Sequence, residues 1–282
     1  MLQRYCLVMF TLLASHAAAT AQTLVERGGY LVNSIMVCDG CHTPAGPGGY
    51  NMQKRFTGGS QLWDTPAYTV RGSNITQDPG SGIGSWNEAG IKRLLTDGVR
   101  PNGVPVAPQM PYAFYKILTE RDADAVSAYL KTVAAIPNEV AAPVYRQAAV
   151  APLIPGGEKR FTEDDLKDKV KRGFYLATIG HCMECHARKP DSTSDYKGSW
   201  GKGGHVMKGP FGEVTVRNIT SHPVNGIGAW TDVEIKTALT RNIGRDGRTF
   251  KQPMARGALF SKMTDDDLDA LVAWLRTLPP LE

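Results

Sequence analysis

The chain has 282 residues, enough for two ordinary domains that each bury a core of their own. Apolar residues make up 42% and charged residues 21%, the balance of a globular protein and not of a disordered one. The formal net charge of +5 argues against nucleic-acid binding, which needs a stronger, clustered basic footprint.

Residues 1–21 read as a signal peptide. Arg4 supplies a positive start, Cys6 to Ala14 a short apolar run, and Ala19-Thr20-Ala21 a small-residue cleavage site before Gln22. That run is too short to cross a bilayer, which takes roughly 20 residues, and no other segment is long and apolar enough. A helix at about 23–38 then leads into Cys38-Asp39-Gly40-Cys41-His42. A Gly-rich stretch reads as loop with room for short strands. After it come Asn74-Ile75-Thr76, Gly82-Ile83-Gly84, Trp86, a helix at about 87–96, Met110 and a helix at about 120–132. Residues 133–160 are rich in Ala, Pro and Val, and Pro137, Pro143, Pro152 and Pro155 rule out a continuous helix. This stretch reads as a semi-extended linker between two domains. Thr162-x-x-Asp165 looks like the capped start of a helix running toward Cys182-Met183-Glu184-Cys185-His186. Thr231-x-x-Glu234 opens another helix. Thr264-x-x-Asp267 opens the last, with Leu268, Leu271, Val272 and Leu275 at helical spacing and Pro279-Pro280 as its stop.

The chain is one domain written twice. A shift of 144 residues lays Cys38 on Cys182, His42 on His186, Gly29 on Gly173, Gly59 on Gly203 and Pro66 on Pro210. It also lays Asn74-Ile75-Thr76 on Asn218-Ile219-Thr220, Trp86 on Trp230 and Met110 on Met254; at 145, Thr119 meets Thr264. The domains are placed at 22–136 and 161–282, with the linker at 137–160. Residues 22–144 carry ten charges of each sign, whereas 145–282 carry 21 basic and 17 acidic side chains.

Cys-x-x-Cys-His is the attachment signature of haem c. Its thiols bond to the porphyrin edge and its histidine reaches the iron. Loss of the leader removes Cys6 and leaves four cysteines, all within the two motifs. In an exported protein four spare thiols would form disulfides; covalent haem uses all four and both histidines. A redox dithiol would need no histidine in both copies, and zinc would need a further ligand at a matching place. Two covalently bound haems are therefore expected, on Cys38, Cys41 and His42 and on Cys182, Cys185 and His186. A low-spin carrier haem needs a sixth ligand. Met110 follows His42 by 68 residues and Met254 follows His186 by 68, so these two are the expected iron ligands opposite His42 and His186. Met52, Met207 and Met263 have no methionine at the repeat position, and His205 and His222 are likewise unmatched. His181 is expected to be solvated. Trp86 and Trp230 either fill the core beside the haem or bond a propionate. Asn74 and Asn218 either cap a turn or do the same. Tyr112 and the arginines near 241–256 could also neutralise propionates.

Asn-Ile-Thr, then Gly-Ile-Gly-x-Trp, then Met110-Pro111-Tyr112 before a capped terminal helix resembles the cytochrome c subunits of bacterial membrane-associated alcohol, aldehyde and sugar-acid dehydrogenases. The resemblance covers nearly all of both repeats. It implies an all-α fold of two tandem cytochrome c-like domains. It further implies electrons received from a dehydrogenase catalytic subunit and passed to quinone, a cytochrome or an oxidase. The second copy departs from that pattern, with Met254-Ala255-Arg256 in place of Met-Pro-Tyr. With both irons closed by methionine, the expected role is a periplasmic, non-catalytic diheme electron carrier, touching a membrane only through a partner. The alternative is a diheme enzyme of the peroxidase or thiosulfate-oxidising type. The excess of basic residues in the second copy suggests an acidic partner for it.

Overall fold

A computed structural model describes residues 22–46, 49–59, 61–148, 150–209 and 211–282. The expected leader at 1–21 and Pro210 lie outside the described residues.

In the first half, α1 (Leu24–Asn33) starts at Thr23, whose hydroxyl and Glu26 form a reciprocal capping box. The helix stops at Asn33, short of the expected 38, and the chain turns through Val37 at φ 53° into α2 (Asp39–His42). A hairpin of β1 (Ala45–Gly46) and β2 (Gly49–Tyr50) follows, then β3 (Leu62–Asp64) and β4 (Tyr68–Arg71). Next come α3 (Glu88–Asp97), α4 (Tyr112–Tyr115) and α5 (Glu120–Leu130), the last capped by Thr119. The segment beyond α5 forms β5 (Val144–Tyr145), which pairs antiparallel with β4 through Thr69–Val144 and Tyr68–Tyr145. The second half holds α6 (Lys169–Ile179), α7 (Cys182–His186), the hairpin of β6 (Val206–Gly209) and β7 (Gly212–Thr215), α8 (Asp232–Arg241), α9 (Gly257–Phe260) and α10 (Asp265–Leu275).

The expected all-α class is therefore corrected. The described residues are 34% helical with 11% strand, and their strands form three small sheets. The stretches read as loop contain β-branched and aromatic runs, such as Tyr68-Thr69-Val70, that fit a pleated half-buried surface. The segment read as a linker also does more than connect. It adds the third strand to the sheet of the first half, buries Ile154 to 2% exposure, and donates the Phe161 N–H to Ile117 O at 2.9 Å.

In each half the first and last long helices cross, and glycine sets the distance. A Cβ on Gly28 would come within 1.9 Å of Ala125 O, and one on Gly173 within 1.9 Å of Ala270 O. Tyr129 and Trp274 close the two crossings. The structural partner of Gly173 is thus Gly28, not the Gly29 that a 144-residue shift selects. The first half carries one extra residue between this helix and its cysteines.

At the same 145-residue offset the halves are joined by a reciprocal pair of polar contacts. The Arg27 guanidinium donates to both oxygens of Asp122 at 2.8 and 2.9 Å, and Tyr175 of the other half donates to Asp122 at 2.7 Å. In mirror fashion Tyr30 donates to Asp267 at 2.7 Å, and Arg172 lies 3.6 Å from Asp267. The first contact is complete and sealed, with Asp122 at 1% and Tyr175 at 0% exposure. The second is looser, and the buried Arg172 Nε has no hydrogen-bond partner among the described residues. Among the described residues, no helix is long and apolar enough to cross a membrane.

Candidate haem-attachment sites

Both Cys-x-x-Cys-His motifs form a short helical turn. In α2 the His42 N–H bonds Cys38 O at 3.0 Å, and α7 spans Cys182 to His186. The helical turn puts both thiols of each motif near one another, and all four cysteines are free. Burial pushes the Cys38 and Cys41 thiols up to about 12 and Cys182 to about 11, and raises Cys185 as well. A redox-active dithiol is favoured by the opposite shift. Among the described residues, no three His, Cys, Asp or Glu side chains are arranged to hold a metal ion.

The histidines are built alike. His42 is 8% and His186 9% exposed. His42 Nδ1 lies 2.7 Å from Ser73 O, and His186 Nδ1 lies 2.8 Å from Arg217 O. A carbonyl can only accept, so Nδ1 carries the proton and each Nε2 keeps its lone pair for a metal. Burial lowers both pKa values, His186 to about 4, against the raising effect of the carbonyl bond, so both rings are neutral near pH 7. The donor set fits a haem iron with histidine on one side.

Two loops hold these rings. Gly58 donates its N–H to His42 O at 2.6 Å and Gly203 donates to His186 O at 2.9 Å, with φ of 72° and 67°. A side chain at either position would strain that backbone, and the equivalence is again Gly58 with Gly203, not Gly59. The second loop is the Asn-Ile-Thr run. Asn74 Oδ1 accepts from Thr76 N–H at 2.9 Å while its amide donates to Ile136 O at 2.9 Å. Asn218 repeats this with Thr220 N–H at 2.8 Å and Leu281 O at 2.5 Å. Both asparagines pin the histidine-holding loop to the segment after the last helix of their half. That is the turn-capping reading of the pair.

The two methionines sit in matching turns. Gly98, at φ 69°, ends α3 and starts a hairpin bridged at Val99–Pro105; Asn242, at φ 58°, ends α8 and starts one bridged at Ile243–Thr249. Met110 N–H then bonds Ala107 O at 3.0 Å, and Met254 N–H bonds Lys251 O at 3.1 Å. Tyr112 N–H returns to Met110 O and Arg256 N–H to Met254 O, both at 2.7 Å. Met110, Met254, Trp86, Trp230, Cys38 and Cys182 are all partly buried and pack against the same core.

Sequence reasoning missed a charged group between the motifs. Glu184, inside the second motif, keeps its carboxyl low. Burial opposes this, but the His181 hydrogen bond and the charges of His181, Arg188 and Arg256 outweigh it. Arg256 acts on Cys182, Cys185 and His186 of its own half and on Cys41, Tyr50 and Tyr115 of the other. The two sites therefore share one electrostatic neighbourhood. The signal was present in the sequence, as Arg256 where the first copy has Tyr112. His181, expected in solvent, is 13% exposed and 2.9 Å from Glu184. His205 is buried and contacts Ser192 at 3.2 Å, and His222 Nδ1 accepts from Val224 and Asn225 N–H.

Residues 170–279 match the family model "Cytochrome c". The chain is 28% identical over 300 residues to the cytochrome c subunit of the quinone-dependent alcohol dehydrogenase of Gluconacetobacter polyoxogenes, covering 96% of this chain. It is 27% identical over 280 residues to the fructose dehydrogenase cytochrome subunit of Gluconobacter japonicus, covering 93% of this chain and 54% of that one. It is 28% identical over 254 residues to a diheme c-type cytochrome of Cereibacter sphaeroides, covering 87% of this chain and 83% of that one. The chain spans 57–60% of the length of the alcohol dehydrogenase subunits it matches.

Proposed function

We propose that this chain is an exported, periplasmic two-haem c-type cytochrome that takes electrons from a dehydrogenase catalytic subunit and delivers them to quinone or another respiratory acceptor. The observation that carries the proposal is the duplicated donor set. Twice, a buried histidine has its Nδ1 proton committed to a carbonyl, two free thiols lie within one helical turn of it, and a half-buried methionine sits in a matching turn. The relatives named as cytochrome subunits of dehydrogenases support the donor side of the reading.

Each haem, when bound, supplies a one-electron iron couple. The chain's own residues do the rest. Cys38 and Cys41, and Cys182 and Cys185, would hold the two haems; His42 with Met110, and His186 with Met254, would ligate the two irons. Ser73 O and Arg217 O fix the rotation of the imidazole rings, as such outer partners do in metal sites. Thioether ligation raises the potential and leaves no open position for a substrate. A carrier is therefore favoured over a peroxidase-type enzyme.

Carbon monoxide tests the closed sites. The reduced protein should keep its visible spectrum under carbon monoxide and show no peroxidase turnover. A shifted spectrum together with turnover would establish an open iron and the enzymatic reading.

A further inference from the structure

The surplus of positive charge in the second half lies on one hairpin and its two flanks. Arg241, the last residue of α8, and Arg256, just past Met254, flank a hairpin that itself carries Arg245, Arg248 and Lys251 against one acid, Asp246. Together they make a surplus of four, equal to that of residues 145–282 as a whole. The matching stretch 97–112 has Arg100 against Asp97 and no surplus. The two hairpins have the same backbone: Val106 N–H bonds Gly98 O at 2.8 Å and Phe250 N–H bonds Asn242 O at 2.7 Å. The fold therefore does not require the charge.

Arg241, Arg245, Arg248 and Lys251 are all exposed. Arg245 lies 3.3 Å from Glu234 and Arg248 3.5 Å from Asp246, loose surface pairs of little energetic weight. Arg241 and Lys251 have no ion pair among the described residues. Like charges crowded on one hairpin repel and destabilise the compact state. A partner would supply the missing counter-charge.

We propose that this hairpin is the docking face for a protein whose contact surface is rich in carboxylates. The proposal rests on the electron-carrier reading above, because the hairpin ends at Met254 and brings its occupant to the methionine side of the second site. A carboxylate-rich protein fits better than an anionic lipid surface. Ile243 is the hairpin's exposed large apolar side chain, at 39%, and Phe250 is half-buried, so no apolar wedge is offered to acyl chains. Charge placed this way steers encounter and orientation, and salt screens it.

Voltammetry of the haem-loaded full chain on gold coated with carboxylate-terminated thiols tests the proposal, after each variant is confirmed to carry two haems. The native chain should adsorb and exchange electrons at low ionic strength, and lose both at about 1 M salt, where the screening length is roughly 3 Å. Arg241→Glu with Lys251→Glu should lower the exchange by roughly tenfold or more. Lys54→Glu with Lys116→Glu makes the same change of net charge on the first half and should leave it intact. Equal losses in both double variants, or none in the hairpin variant, overturn the proposal. So does tighter binding of the native chain to phosphatidylglycerol vesicles than to the carboxylate film, which would assign the hairpin to a membrane. A native chain with fewer than two haems sinks the carrier reading instead, whereas full haem content with hairpin-independent adsorption sinks only the docking face.

Discussion

The proposed methionine ligation can be tested residue by residue. Met110 and Met254 occupy matching turns and are half-buried against the core, while Met263 is core at 6% exposure and Met52 is 58% exposed. Met110→Ala and Met254→Ala should each remove half of the near-infrared methionine–iron band. An unchanged band would clear that residue of ligation. Asp122 and Asp267 allow a second comparison, because they occupy equivalent positions with unequal partners. Asp122→Asn leaves Arg27 short of its charge partner in a sealed site and should cost about 3–5 kcal/mol. Asp267→Asn, where Arg172 lies 3.6 Å away, should cost about 1 kcal/mol. Urea denaturation of the two variants measures the difference, and equal losses would refute the asymmetry. None of this pairing was legible in the sequence. An aspartate in a capped first turn reads as a capping residue, and only the tertiary fold brings Tyr175 and Tyr30 to the other half's carboxylate.

At the scale of elements, the most legible features were those set by neighbours in sequence. The capping box of Thr231 and Glu234 forms as read, and Thr264 caps α10. Thr162 and Asp165 also bond each other, yet they hold only a 3-10 turn, and the α-helix begins at Lys169 under Asp168. A local cap does not oblige the chain to continue as helix. The strand β5 escaped for the converse reason. Val144 pairs with Thr69 at a sequence separation of 75, and nothing local specifies that contact. The repeat register was misread by one residue at Gly28 and Gly58, because the insertions fall in turns where a fixed shift cannot follow them. The close helix crossings predict that Gly28→Ala and Gly173→Ala each destabilise by about 3 kcal/mol, since a carbonyl at 1.9 Å cannot yield without moving the helix. Gly46→Ala, with nothing within 4 Å, is the matched control and should be neutral in thermal unfolding.

At the scale of the whole molecule, the reciprocal tyrosine contacts tie the halves together and give stability a pH limit. Burial, then the hydrogen bond to Asp267, pushes Tyr30 up to about 12; burial and Asp122 raise Tyr175 as well. An unfolded tyrosine ionises near pH 10. Above that pH the unfolded chain sheds protons that the folded chain keeps, so stability falls from about pH 10 toward 12 and is unaffected by these groups below it. Tyr30→Phe should flatten that fall in urea midpoints taken across the range; an unflattened curve would assign alkaline loss to other groups. Everything proposed for the molecule as a carrier depends on its holding a haem in each half. Intact mass spectrometry of the exported protein, denatured so that only covalent groups remain, tests this most directly. The expected mass is that of residues 22–282 plus two haems, and a mass showing one haem or none would contradict it.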